Sequence, residues 1–221
     1  MKISVLIPAY NAQIVLKELI ERIKVILPLA QIVVVDDGSS DETRLRGEQS
    51  GATVLVLTTN LGKGAALQTG FDFLRRGNAE FILTMDADLQ HLPEDIPNLI
   101  SERERTNADI IVGWRRRDGT AMPLHRRMSN RITSALVAMR TGAAIKDSQC
   151  GFRLIKKNVI ELVQIESHGF EAETEFLIKA AKAGFSIASA PVQTVYGGEK
   201  SYMTHWSTTV NFLRILLREY R

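Results

Sequence analysis

Along the chain, short blocks of consecutive apolar residues alternate with stretches in which apolar positions recur every three or four residues. Residues 3–7, 32–35, 54–57, 81–85 and 110–113 are rich in aliphatic and β-branched side chains, and each block gives way to a polar or turn-forming stretch. That combination predicts buried strands. Between the first two blocks, Ile14, Leu16, Leu19, Ile20, Ile23, Ile26 and Leu27 form a helical stripe that Pro28 ends. Further helices are predicted over residues 64–74, over 93–105 with Ile96, Leu99 and Ile100 inward, over 126–139, and over 176–183, where Gly184 supplies a stop. Residues 187–195 read as the last strand, and Pro191 within it marks an edge or an irregularity. Strand, helix, strand with short connections implies parallel pairing through right-handed crossovers. The fold class expected is therefore α/β, with a mostly parallel central sheet flanked by helices.

Size and composition narrow the picture further. The 221 residues suffice for one sizeable core, expected over residues 1–203, with an amphipathic C-terminal helix over 204–221. A hydrophobic content of 45% and a charged content of 24% leave no reason to expect disorder. The formal charge is only +3, yet Arg115, Arg116, Arg117, Arg126, Arg127, Arg131 and Arg140 crowd the middle of the chain. Such a cluster attracts phosphate or anionic lipid, or is simply a solvated helix face. Stacking aromatics are not interleaved with these arginines, which argues against nucleic acid. The single cysteine, Cys150, excludes an intrachain disulfide framework and suits a reducing, cytoplasmic compartment.

The first apolar block breaks at Pro8 and is too short for a signal peptide. No apolar stretch reaches the roughly 18 residues of a spanning helix, so membrane contact is expected to be peripheral. The terminal stretch, with Trp206, Phe212, Leu213, Ile215, Leu216 and Leu217 interleaved with Arg214 and Arg218, can pack on the core, meet a second copy in a homodimer, or lie on a bilayer.

Candidate chemistry sits where the predicted strands end. The block 81–85 runs into Asp86-Ala87-Asp88-Leu89-Gln90, so two carboxylates leave the sheet together. They can present oxygens to one hard cation, Mg2+ or Mn2+, or serve as a helix cap or polar turn. The second strand runs into Asp36-Asp37-Gly38-Ser39-Ser40-Asp41, where Asp37 can accept from a base or ribose hydroxyl and either aspartate can cap a helix. After the third strand, Asn60-Leu61-Gly62-Lys63-Gly64 can bring backbone amides and an ammonium to a phosphate. It is not a P-loop, because Lys63 is followed by Gly64 rather than Ser or Thr. Later, Asp147 stands on a small, polar turn that leads through Gly151-Phe152-Arg153 into a strand, and Glu171, Glu173 and Glu175 alternate ahead of a helix. A phosphohydrolase built on Asp-x-Asp would carry its pair after the first strand, whereas here it follows a mid-chain strand.

Taken together, Pro8-Ala9-Tyr10-Asn11, Val35-Asp36-Asp37-Gly38-Ser39-Ser40-Asp41, Asn60-x-Gly62-Lys63-Gly64, Met85-Asp86-Ala87-Asp88-Leu89-Gln90-His91, Gly113-x-Arg115 and Gly151-Phe152-Arg153 resemble, in order and spacing, the family 2 glycosyltransferases of GT-A fold. The branch most similar is that of the dolichyl- and polyprenyl-phosphate mannose or glucose synthases. The resemblance implies inverting transfer of a hexose from UDP or GDP to a lipid phosphate, with Mg2+ or Mn2+ as cofactor.

By residue, it implies that Pro8, Ala9, Tyr10, Asp37, Lys63, Asp86, Ala87 and Asp88 bind the nucleotide sugar, and that Asp86, Asp88 and Gln90 hold the metal. Arg115, Arg126, Ser129 and Asn130 would hold the acceptor phosphate, while Lys200 and Ser201 belong to a loop that closes over the site. Asp88, Asp147 and Arg115 are the implied catalytic residues. Two departures stand out: Ala12 replaces the Glu of many relatives, and the paired transmembrane segments of some lipid-phosphate glycosyltransferases are not seen. A hydroxyl acceptor, which would need Asp147 as base, and a silent nucleotide-sugar-binding protein are the alternatives.

Overall fold

The computed structural model describes residues 1–115 and 124–195, with the backbone alone at 124–127 and 129, together with Phe212, residues 214–216, Arg218 and Glu219. Its first half follows the apolar blocks closely. Strand β1 (Ile3–Ala9) leads through helix α1 (Leu16–Ile26) to β2 (Gln31–Asp36), then through α2 (Thr43–Gln49) to β3 (Thr53–Val56) and through α3 (Lys63–Leu74) to β4 (Phe81–Thr84). A 3-10 turn at Pro93–Asp95 precedes α4 (Ile96–Thr106), β5 (Ile110–Arg115) and α5 (Leu124–Thr141). The chain continues through β6 (Arg153–Lys156), α6 (Lys157–Leu162), α7 (Ala172–Lys182) and β7 (Ile187–Val192).

The apolar stripe of α1 is buried as its period requires: Leu16, Leu19, Ile20 and Ile23 are inaccessible. At the end of α4, Asn107 adopts a left-handed conformation with φ 55°, and its amide closes the helix on the Arg103 carbonyl.

The seven strands form one sheet in the order β3-β2-β1-β4-β6-β5-β7. Pairings of β1 with β2 and β4, of β2 with β3, and of β5 with β7 are parallel, whereas β6 runs antiparallel to both β4 and β5. The edge position of β7 answers the Pro191 signal, since a residue without an amide proton costs least where no ladder bond is needed. Around the sheet, α3 packs on β1 and β2 while α4 packs on β5 and β7, and a continuous core runs from Ile3 to Val192. Of the C-terminal stretch, Phe212 and Ile215 are buried in this core and Leu216 packs against it. Among the described residues, no helix is long and apolar enough to cross a membrane.

Topology decides where chemistry collects. Strands β1, β2 and β4 are parallel, so Tyr10, Asp37 and Asp86 emerge at one edge. With β6 reversed, its start rather than its end lies there, and Arg153 pairs with Thr84 in the register. Reversing again, β5 delivers Arg115 to the same edge. Chain order β1 to β2 on one side of β1, then β4 on the other, makes a crevice beyond these strand ends, the usual ligand site of open α/β sheets.

Two sequence expectations are corrected here. The helix expected over residues 176–183 begins at Ala172, not Phe176, so Glu173 and Glu175 lie inside it and are buried. The last strand stops at Val192, and residues 193–195 continue as irregular chain with one bridge between His91 and Thr194.

Candidate active site

The residues at this edge form two groups, one around Asp86 and one around Asp147. Thr84 and Met85 are buried, and the backbone then turns, with Leu89 at φ 54°, so that Asp86 and Asp88 leave β4 together. Asp86 Oδ1 is 2.6 Å from Lys63 Nζ, and the same ammonium is 2.8 Å from Glu173 Oε1 on α7. Asp88 Oδ1 accepts the Gln90 amide at 3.0 Å. Burial opposes the charge on Lys63, but Asp86 and Glu173 more than reverse this and raise its pKa. Burial likewise opposes ionisation of Asp86, and the Lys63 charge and hydrogen bond turn the net shift downward. For Asp88, burial and then the Asp86 charge outweigh the Gln90 amide and the more distant His91 and Lys63, and raise its pKa. A carboxylate strained in this way gains from a nearby cation.

Gly62 and Gly151 make the close packing feasible. Gly62 has φ +97°, and a β-carbon there would collide with the His168 carbonyl oxygen. This lets Lys63 start α3 beneath residues 167–168, where the Gly64 amide donates to the His168 carbonyl at 2.7 Å. At Gly151, a β-carbon would sit 2.6 Å from Asp86 Oδ2 and 2.8 Å from Glu173 Oε1.

Arg153, 3% exposed, ties the segment down by donating to the carbonyls of Cys150 at 2.8 Å, Ser148 at 2.9 Å and Glu173 at 3.1 Å. Neither Glu173 nor Arg153 carries a role in the sequence reading. The alternation of glutamates, and an arginine entering a strand, were the available signals.

Other expected donor residues occupy the rim. Tyr10 is 42% exposed at the end of β1, beside half-buried Pro8 and buried Ala9. Asp37 is buried, and its two oxygens accept the amides of Leu61 and Gly62, both at 2.8 Å. In this structure the carboxylate thus fixes the turn that carries Lys63, which goes beyond helix capping. Asp36 accepts the Ser39 amide at 2.9 Å. Ala87 and Gln90 are half-buried on the Asp86 turn.

In the second group, Arg115 grips Asp147 with two parallel hydrogen bonds, Nε to Oδ2 at 2.6 Å and Nη2 to Oδ1 at 3.0 Å. Both side chains are largely buried, at 17% and 9% exposure. Asn130 lies half-buried on α5. The side chains of Arg126 and Ser129, and the whole of Lys200 and Ser201, lie outside the described residues. Between the two groups, His91 is buried with Nε2 at 3.5 Å from Cys150 Sγ, and burial lowers its pKa. Burial also pushes the Cys150 thiol up to about 12, so it is a packing group rather than a nucleophile.

Among the described residues, no group of three or more His, Cys, Asp or Glu side chains is placed to hold a metal. The residues expected to hold a metal, Asp86, Asp88 and Gln90, would offer two carboxylates and one amide oxygen. An all-oxygen set this sparse suits Mg2+ or Mn2+ shared with substrate phosphates and water, rather than a closed structural site.

Comparison with known proteins identifies the family and the fold. Residues 4–163 match the model of the family described as "Glycosyl transferase family 2". The chain is 35% identical over 190 residues to a dolichol-phosphate mannosyltransferase of Pyrococcus furiosus, covering 81% of this chain and 53% of that one. It is 31% identical over 184 residues to a dodecaprenyl-phosphate galacturonate synthase of Rhizobium johnstonii, covering 77% and 53%. The chain thus spans about half the length of these two relatives. In fold it resembles glucosyl-3-phosphoglycerate synthase of Mycobacterium tuberculosis, solved with Mn2+, UDP and glucosyl-3-phosphoglycerate. The TM-score is 0.75 at 19% identity, over 97% of this chain and 77% of that one.

Proposed function

The chain belongs to glycosyl transferase family 2, and from that premise we propose that it moves a hexose from a UDP- or GDP-sugar to a polyprenyl phosphate at the cytoplasmic face of a membrane. The observation that carries the choice of acceptor is the Arg115–Asp147 fork. A general base needs a lone pair aimed at the acceptor proton, and Asp147 has both oxygens accepting from a guanidinium, with Oδ1 also taking the Gln149 amide at 3.3 Å. Its geometry suits holding Arg115 in one orientation. A phosphate acceptor is already ionised near neutral pH and needs no base; what it needs is a fixed cation, and a planar, oriented guanidinium supplies one. The relatives' names, dolichol-phosphate mannosyltransferase and dodecaprenyl-phosphate galacturonate synthase, support the same acceptor class.

On the donor side, Asp86, Asp88 and Gln90 are the residues that would hold Mg2+ or Mn2+, and the ion when bound neutralises charge on the departing diphosphate. The fold neighbour was solved with Mn2+ and UDP, which supports this assignment. Tyr10 offers an exposed ring to the base, and Asp37 sets the Leu61–Gly62 turn from which Lys63 reaches toward the phosphates. Transfer is then one displacement: an acceptor phosphate oxygen bonds to the anomeric carbon as its bond to the diphosphate oxygen breaks, with inversion. The electron pair leaves with the nucleotide.

Membrane contact has its own support on α5. Met128, Ile132 and Met139 are 66%, 55% and 81% exposed at helical spacing, and exposed Arg131 and Arg140 flank them. An apolar stripe bordered by arginines suits the surface of an anionic bilayer, where a lipid phosphate would be met.

The test offers UDP- and GDP-hexoses with Mn2+ to the purified chain, with polyprenyl phosphate or the matching polyprenol as acceptor. Transfer to the phosphate alone is the expected result. Equal transfer to the alcohol would remove the acceptor assignment.

A further inference from the structure

Glu173 stands outside the expected set of active-site residues, yet it is 4% exposed and holds one side of the Lys63 ammonium, whose other side meets Asp86. We infer that Glu173 is a positioning residue of the donor site: by sharing Lys63 with Asp86, it sets how readily Asp86 and Asp88 take a divalent cation. The inference rests on the reading of those aspartates given above.

A divalent cation and an ammonium compete for the same Asp86 oxygens. In a buried site, Lys63 can yield Asp86 only if another anion keeps it paired, because an unpaired buried ammonium is strongly disfavoured. Glu173 is that anion. It is at 2.8 Å from Lys63 Nζ, against 2.6 Å for Asp86, so withdrawal of the ammonium toward α7 needs no search for a new partner.

The surroundings keep Glu173 in this position. Arg153 donates to its backbone carbonyl at 3.1 Å and approaches Oε2 at 4.0 Å. Gly151, having no side chain, leaves the gap in which the Asp86 and Glu173 carboxylates face each other. Phe170, 6.0 Å from Lys63 Nζ to the ring centroid, offers the ammonium a π face on the same side of the site. Glu173→Gln removes the alternative anion, so Lys63 closes on Asp86 and competes more strongly with the cation.

The test is Mn2+ alone titrated into the full chain and followed by the electron paramagnetic resonance signal of free Mn2+. Glu173→Gln is expected to weaken binding about tenfold, and Lys63→Met to tighten it. In a Lys63→Met background, adding Glu173→Gln should change the affinity by no more than about threefold, because the group through which Glu173 acts is gone. A Glu173→Gln protein that binds Mn2+ as the parent does overturns the inference, as does an equal loss in both backgrounds. Should Glu173→Gln not fold, Lys63→Met decides alone, and unchanged or weaker Mn2+ binding overturns the inference. Asp88→Asn separates the two layers. If it and the parent bind Mn2+ equally, the cation reading fails with the inference; if Asp88→Asn loses binding while Glu173→Gln does not, only the inference falls.

Discussion

Replacing Gly151 by alanine places one methyl group among three carboxylate oxygens. The new β-carbon would lie 2.6 Å from Asp86 Oδ2, 2.8 Å from Asp86 Oδ1 and 2.8 Å from Glu173 Oε1. Ordinary carbon–oxygen contact begins near 3.4 Å, so these groups must retreat by about 0.6–0.8 Å. They are not free to do so, since Lys63 holds Asp86 at 2.6 Å and Glu173 at 2.8 Å, and Arg153 pins the residues around Gly151.

Overpacking of this size costs about 1–3 kcal/mol of stability. Misplacing Asp86 by most of an ångström costs more in catalysis, on the order of 100-fold. Gly70→Ala is the control: its β-carbon would strike the Leu6 side chain in the core, away from the site, so stability should fall while the folded fraction keeps its specific activity. The assay is sugar transfer normalised to folded protein, with thermal unfolding measured in parallel. If Gly151→Ala loses stability and keeps full transfer, Asp86 is not where the chemistry needs it, and the reasoning is wrong.

Other consequences can be checked alongside. Asp88→Asn should lower transfer by about 1,000-fold, a loss typical of removing one preorganised electrostatic group, with the fold intact. Because burial and Asp86 raise the Asp88 pKa, the parent's ionised Asp88 is disfavoured in the fold at neutral pH. The variant should therefore be the more stable protein there, and the gap should close as pH falls below the ordinary carboxylate range in chemical denaturation.

Asp147→Asn and Arg115→Lys, which each break the fork, should raise the acceptor KM about tenfold while leaving the donor KM within about twofold. The acidic limb of the kcat profile should not move, and its disappearance in Asp147→Asn would restore Asp147 as a base. Cys150, with its thiol pushed up to about 12, should ignore a thiol reagent at pH 8 until the chain is unfolded. Ile132→Glu on the exposed stripe of α5 should reduce sedimentation with anionic vesicles while transfer to a short, water-soluble prenyl phosphate stays unchanged.

Periodicity alone locates most of the elements. The blocks at residues 3–7, 32–35, 81–85 and 110–113 became β1, β2, β4 and β5, because a continuous apolar run has few alternatives to a strand covered on both faces. Asp86 and Asp88 at the end of such a run mark a site for the same local reason. The short helix α6, over Lys157–Leu162, offers too few turns to display a period in the sequence. The start of α7 is hidden in the sequence because Glu173 and Glu175 look like solvent-facing residues.

Their burial depends on distant partners. Glu173 meets Lys63 from α3, and Glu175 accepts the Ser167 amide at 2.8 Å while Lys179 Nζ lies 2.6 Å away. Asp37 bonding Leu61 and Gly62, and Arg115 clasping Asp147, belong to the same class of fact. Local sequence thus determined which segments are buried and which carboxylates and cations stand at their ends, since burial period and turn chemistry act within a few residues. The tertiary structure alone decided which charge pairs with which. Pairing depends on strand order and on the reversal of β6, which bring residues tens of positions apart within hydrogen-bonding distance in a medium that penalises an unpaired ion.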